Sequence, residues 1–335
     1  MTVKIGLRGF IKREAISRLR LASALFLIIL TFFISPQLLA QTKKLALRIS
    51  GSSTLLPFVQ SAAELFCQKR PELLLTVSGT GTGEGIRSLI YGNVDIATAS
   101  RDMAEVERQE AKQAGLNLIK KTVALDCLVV IVHPSNPVSN LTMEQLKGLY
   151  TGRYANWNQL GGPDMVIVAV NRDSSSGTFE MWIDKVLSWE RHRRDAQVQS
   201  SSGGALYAVA GNRHAVGYVS MGFVSPMVKS LTVNGVIPSQ QTVSDGSYPI
   251  SRELFMFYNK GPKVQVQDFL NYLDSHEGLD LIKRAGFLPP SAGLSSKKRA
   301  IESQLSFLSQ GERPVQNGSF ISFSATQSLF WQGPQ

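Results

Sequence analysis

The stretch Val166–Phe179 limits the folds open to this chain more than any other. Val166-Ile167-Val168-Ala169-Val170 is an unbroken apolar, β-branched run, the pattern of a buried strand. It ends at Asn171-Arg172-Asp173 and passes through Ser174-Ser175-Ser176-Gly177-Thr178. From Phe179 to Leu187 the apolar residues then fall at helical spacing. A buried strand feeding a helix through a short turn calls for an α/β layer fold. The same turn makes an anion site, because the unpaired N–H groups and positive end of the helix point at one place. Arg172 adds a planar cationic fork, and Ser176 and Thr178 add hydroxyl donors. Two earlier turns repeat this chemistry, Gly51-Ser52-Ser53-Thr54 and Gly79-Thr80-Gly81-Thr82-Gly83. Three such turns imply one oxyanion held from three sides.

The rest of the chain alternates in the same way. Leu45 to Ile49 reads as a strand, followed by a helix to Lys69 with Ser53 or Thr54 at its N-cap, stopped by Arg70-Pro71. Leu73 to Val77 is a strand, and the glycine turn after it leads into a helix over Ile86 to Tyr91. Asn93 to Ala97 is a strand, Glu105 to Ala114 a helix, and Leu118 to Leu125 and Cys127 to Val132 two apolar strands. Met143 to Tyr150 is helical, Ser200 to Gly204 is a flexible turn, and Ala215 to Val219 and Leu254 to Tyr258 are strands. Helices at Val264 to Leu273 and Leu279 to Ala285 close the series, which has the βαβ rhythm of mostly parallel sheets. The glycine turn lacks the Lys-Ser/Thr of a P-loop, and Gly81-Thr82-Gly83 lacks the third glycine of a dinucleotide fingerprint. The turns therefore suit a phosphate-sized group and do not specify a nucleotide.

With 335 residues and 43% apolar content, the chain is long enough for two lobes. Residues 1–40 are set apart as a signal peptide. Lys4, Arg8, Lys12, Arg13, Arg18 and Arg20 precede an uncharged run, Leu21 to Ile34, with a candidate cut after Ala40. That run is shorter than the roughly 20 residues of a spanning helix. Those six cations less Glu14 remove five of the ten net positive charges, leaving a mature chain whose mild positive balance suits an anionic ligand. Arg191-His192-Arg193-Arg194 reads as a solvated helix end, and no zinc spacing or aromatic-basic interleaving indicates nucleic acid. No metal site or cofactor is expected. Cys67 and Cys127 are the only cysteines; an oxidising compartment permits a bridge, and each fits equally as a buried apolar residue. Residues 291–335, rich in Ser, Gln and Gly, form a C-terminal tail of unknown role.

In this order and spacing the motifs resemble a family. They are Ile49-Ser50-Gly51-Ser52-Ser53-Thr54, Gly81 to Ile86, Val94-Asp95-Ile96-Ala97 with Ala99-Ser100-Arg101, Thr151-Gly152-Arg153 to Trp157, Arg172 with Ser176-Gly177-Thr178, and Val216 to Val219. The chain resembles, from about Leu45 to Pro289, the periplasmic phosphate-binding proteins of ABC transporters, within the type II periplasmic binding fold. The resemblance implies two α/β lobes, each a mostly parallel sheet flanked by helices, joined by two crossing strands near Asp126 to Leu128 and Ser247 to Ile250. Lobe 1 would comprise 41–126 and 248–290, and lobe 2 would comprise 127–247. It implies a monomeric periplasmic binding protein, not an enzyme, that passes inorganic phosphate to an ABC permease in the inner membrane. By matching position its ligand-binding residues would be Ser53, Thr54, Leu55 (through its amide), Thr82, Ser100, Arg101, Arg172, Ser176, Gly177 and Thr178.

Two departures bear on selectivity. Some members place an acidic residue after the Ala-Ser pair, where it accepts the proton of hydrogen phosphate; here Arg101 stands there, either on the ligand or paired with a carboxylate. Glu84 also stands where a smaller hydroxyl residue is common. Glu84 and Asp173 are alternative acceptors, and each fits equally as a solvent-facing or ion-paired carboxylate. Another tetrahedral oxyanion such as sulfate, or a sensing role, is thus the alternative reading. A secreted hydrolase with a nucleophile among Ser174 to Thr178 is disfavoured, because the four histidines are scattered and form no triad pattern.

Overall fold

The computed structural model describes residues 45–290; the signal-peptide and tail expectations fall outside them. The strands are β1 (Leu45–Gly51), β2 (Leu73–Ser78), β3 (Ile96–Ala99), β4 (Leu118–Val132), β5 (Asn140–Leu141), β6 (Val168–Arg172), β7 (Gln197–Gln199), β8 (Ala215–Ser220), β9 (Lys229–Ser230), β10 (Thr232–Val233) and β11 (Ser251–Asn259). The α-helices are α1 (Leu56–Lys69), α2 (Thr82–Ile90), α3 (Glu105–Gln113), α4 (Met143–Thr151), α5 (Gly177–Trp182), α6 (Ser202–Ala210), α7 (Gln240–Ser244), α8 (Val264–Asp274) and α9 (His276–Arg284).

The principal sheet runs β2-β1-β3-β11-β4-β8-β6-β7, with β9 also pairing β4. Its outer thirds, β2-β1-β3 and β8-β6-β7, are parallel, while β11 and β4 run antiparallel between them. Strand β4 replaces the two separate strands expected from sequence. Asp126 reads as a break in an apolar run, yet its carboxylate is ion-paired with Arg252 and accepts from Ser220, so the strand continues through it. What changes there is the partner. Leu118 to Cys127 pair with β11, and Leu128 to Val132 pair with β8.

Two main cores lie on either side of this switch. One packs Leu47, Phe58 and Phe66 against Phe269, Leu273 and Phe287. The other holds Trp182 stacked on Tyr218 at 4.0 Å, with Tyr150 edge-on to Trp182; Tyr248, Ile250 and Leu288 also pack into it. A smaller cluster covers the opposite face of the first half-sheet. Leu254 and Met256 of β11 enter the first core and the alternating Phe255 and Phe257 enter the small cluster, as the two-residue period of a strand requires. Cys67 and Cys127 are both free thiols, the second fully buried in β4, where burial pushes its ionisation up.

Several helices start earlier than the sequence suggests. Helix α2 begins at Thr82 rather than Ile86, α5 at Gly177 rather than Phe179, and α6 at Ser202 inside the expected flexible turn. Glycine and hydroxyl residues read as turn, but in a first helical turn the amides need no intrahelical partner. Strand β3 also lies further on than expected, at Ile96–Ala99, because Gly92 (φ 71°) and Asn93 close a turn after α2. Helices α1, α2, α5 and α6 each follow the carboxyl end of a parallel strand, β1, β2, β6 and β7; the two half-sheets run in opposite senses, so these carboxyl ends face each other across the region where β4 changes partner.

Candidate anion site

The first of these helix starts departs from ordinary capping. The N-cap position of α1 is the buried Leu55, which offers no side-chain cap, with Pro57 in the first turn. Ser53 and Thr54, expected to cap, reach toward α5 and α6 instead. Ser53 Oγ accepts from Arg172 Nη2 (3.2 Å) and from the Ser202 amide (3.3 Å), and Thr54 Oγ1 shares a hydrogen bond with Thr178 Oγ1 (3.1 Å). Ser52 Oγ accepts from the Thr54 amide (3.1 Å) and is hydrogen-bonded to Ser100 Oγ.

At α2, Gly81 takes φ 105°, which L side chains rarely adopt, and its amide donates to Gly51 O (2.7 Å). Thr82 Oγ1 accepts from the Ser100 amide (3.0 Å), and the Gly83 amide donates to Ser175 O (3.0 Å). A Cβ on Gly177 would lie 2.5 Å from Thr82 Oγ1, so only glycine lets α5 approach α2 this closely. Ser176 caps α5, accepting from the Phe179 amide (3.3 Å).

Arg172 ends β6 with 3% of its surface exposed. Nε donates to Gln199 O (3.0 Å), Nη1 to Ser202 Oγ (3.1 Å), and Nη2 to Ser53 Oγ and Ser200 O (3.2 Å each). Among the described residues its nearest carboxylate, Asp173, stands 3.9 Å away, and burial lowers the arginine's pKa from its ordinary value. Arg172 is therefore a desolvated cation without a close counter-ion, a condition an anion relieves.

Ser52, Ser53, Gly81, Thr82, Ser100, Arg172, Ser176, Gly177 and Thr178 line one small, tight cavity. Seven of the ten sequence-derived positions are among them. Thr54 stands behind the lining, bonded to Thr178, and the Leu55 side chain lies in the first core. Arg101 is not in the lining. Its guanidinium pairs with Glu107 (2.7 Å) on α3 and with Glu180 (2.6 Å) on α5. Burial raises the Glu180 carboxyl despite that arginine. Of the two alternative acceptors, Glu84 is solvent-exposed and pairs with Arg87, while Asp173 Oδ1 accepts from the Ser175 amide (2.9 Å) and hydroxyl. Sequence reasoning missed Ser202, whose signal was the hydroxyl-glycine run Ser200 to Gly204, and Arg252, which carried no local signal. Among the described residues, no group of three or more His, Cys, Asp or Glu side chains is arranged to hold a metal.

The architecture and site define a class: an α/β protein with two cores, a strand crossing between them, and a small donor-lined cavity fed by helix N-termini. The model of the PBP superfamily domain matches residues 39–277. The chain belongs to that superfamily, and its fold is the type II periplasmic binding protein fold. The phosphate-binding protein PstS of Borreliella burgdorferi is 30% identical over 278 residues, covering 78% of this chain and 97% of that protein. PstS of Bacillus subtilis is 30% identical over 247 residues, covering 73% and 80%. An ABC transporter substrate-binding protein from Clostridium perfringens, solved with bound phosphate, is 32% identical with a TM-score of 0.69, covering 73% of this chain and 99% of that one. An ABC-type phosphate transport receptor from Vibrio cholerae is also 32% identical, with a TM-score of 0.62, covering 73% and 100%.

Proposed function

We infer that this chain is the substrate-binding protein of a phosphate ABC transporter, capturing inorganic phosphate in the cavity and delivering it to a membrane permease. The relatives named for phosphate binding support this reading. The observation that carries it is Arg172: a buried cation at a cavity lined by hydroxyls and helix N-termini, with no carboxylate among the described residues closer than 3.9 Å. Ser53, Thr82, Ser100, Ser176, Gly177 and Thr178 act with it as ligand-binding residues, with Thr54 and the Leu55 amide completing the α1 end. Arg101 acts one step removed, tying Glu107 to Glu180. The chain works as a binding module rather than an enzyme, as a monomer, after export to the periplasm and removal of residues 1–40. Among the described residues no helix is long and apolar enough to cross a membrane. The ligand lies between a first lobe built from 41–126 and 248–290 and a second built from 127–247.

A second reading, capture of sulfate or another tetrahedral oxyanion, is favoured by one observation: among the described residues no carboxylate lines the cavity to accept the proton of hydrogen phosphate. Thermal melting decides between them. A ligand at a hundred times its Kd adds about 2.7 kcal/mol to native stability. Phosphate is expected to raise the melting temperature more than equimolar sulfate does. Equal shifts remove phosphate selectivity, a larger sulfate shift establishes the second reading, and no shift with either removes both.

A further inference from the structure

Arg252 of β11 lies outside the cavity lining but is buried close to it. Its side chain and that of Asp126 are 1% and 0% exposed. Asp126 Oδ2 accepts from Arg252 Nε (2.8 Å) and lies 2.7 Å from Nη2, while its Oδ1 accepts from Ser220 Oγ (2.8 Å) and the Met221 amide (3.2 Å). The pair sits where β4 changes partner from β11 to β8, so it joins the strands that run between the two cores. One arm of the guanidinium points elsewhere: Nη1 donates to Thr178 Oγ1 at 3.0 Å. Thr178 is the second residue of α5, 2% exposed, and lines the cavity.

A hydroxyl has one proton to give and can accept, whereas a guanidinium only gives. With Arg252 donating to it, the Thr178 oxygen keeps its own proton for another acceptor, Thr54 Oγ1 or an oxygen of a bound anion. Arg252 differs here from Arg172. Its charge is matched by Asp126 in close contact, so what it exports to the site is direction rather than net charge. We propose that Arg252, fixed by Asp126 at the crossing between the lobes, is a positioning residue that orients the Thr178 hydroxyl to donate its proton into the cavity. The chain thereby couples the geometry of the interlobe crossing to anion affinity through one side chain. This rests on the reading of the cavity as an oxyanion site.

The test is a double-mutant cycle read by titration calorimetry with inorganic phosphate on the full chain. Thr178→Val removes the hydroxyl at nearly constant shape and is expected to weaken binding about tenfold, the worth of one charge-assisted hydrogen bond; Thr178→Ser is expected to restore it to within threefold. Arg252→Met with Asp126→Asn removes both charges together, because removing one alone strands its partner. It is expected to cost the same tenfold in the parent, and less than twofold in the Thr178→Val background. Arg252→Lys, which keeps the charge but loses the second arm, is expected to follow the same pattern and provides the cycle if the paired variant does not fold. Equal losses in both backgrounds, or no loss in the parent, would overturn the proposal while leaving the site intact. Failure of the unmodified chain to bind either phosphate or sulfate would overturn the functional reading and this inference with it.

Discussion

Replacing Arg172 by methionine isolates the cation of the site at nearly constant volume. The guanidinium makes four hydrogen bonds; two, to Gln199 O and Ser200 O, hold it in place, and two, to Ser202 Oγ and Ser53 Oγ, face the α1 and α6 ends of the site. Truncating one partner of a buried, hydrogen-bonded charge pair costs about 2–5 kcal/mol. At about 1.4 kcal/mol per tenfold, that is roughly a thirty-fold to several-thousand-fold loss of affinity. The unliganded fold is expected to change far less. The lost bonds from the charged guanidinium contribute about 1.5–3 kcal/mol each, and most of that is offset because the variant no longer bears a desolvated charge whose counter-ion is 3.9 Å away. The expected pattern is a collapse of phosphate binding in calorimetry, with unfolding by denaturant shifted by no more than about 2 kcal/mol. Arg172→Lys keeps charge but loses the fork, and falls between the two. Affinity within threefold of the parent would refute the assignment of Arg172 as the charge partner; a variant that cannot fold would refute its separation from the core.

Two further perturbations test the scaffold around the site. Gly85→Ala would place a Cβ 2.4 Å from the Gly51 Cα and 2.8 Å from Ser50 O, both backbone atoms that cannot swing aside. A cost of about 3 kcal/mol follows from such overpacking, a fall of roughly 6–12 °C in a calorimetric melt, and a loss under 2 °C would show that β1 and α2 yield more than this packing implies. Burial alone would raise the Asp95 carboxyl, but hydrogen bonds from Lys263 Nζ (2.8 Å) and the Arg48 amide (2.9 Å) bring it below its ordinary value. A depressed carboxylate contributes its stability above the unfolded pKa, about 3.9, and loses it as pH falls through the folded one. Asp95→Asn is therefore expected to be less stable than the parent at pH 7, with the gap closing below about pH 4; a gap that stays constant through acid titration would remove the charge from the account.

Much of this architecture was legible along the chain because it rests on local patterns. Periods of two and of about 3.6 in the apolar residues marked the strands and the amphipathic helices, and the hydroxyl-glycine turns after apolar runs marked the helix starts that gather the donors. Where boundaries slipped, at Thr82, Gly177 and Ser202, residues that read as turn were first-turn residues, whose amides need no intrahelical partner. The N-cap roles given to Ser53 and Thr54 failed for a related reason: partners more than a hundred residues away took those hydroxyls instead.

What the sequence determined by itself was the α/β alternation, the three donor turns and the cation that follows β6, because each depends on residues close together in the chain. It took the folded chain to settle that Arg101 is held by Glu107 and Glu180, that Asp126 continues β4 rather than breaking it, and that Arg252, 74 residues further on, reaches Thr178. Those outcomes depend on which charges become buried together. Burial makes an unpaired charge so costly that its partner must come from wherever the fold brings one, a choice no local pattern records.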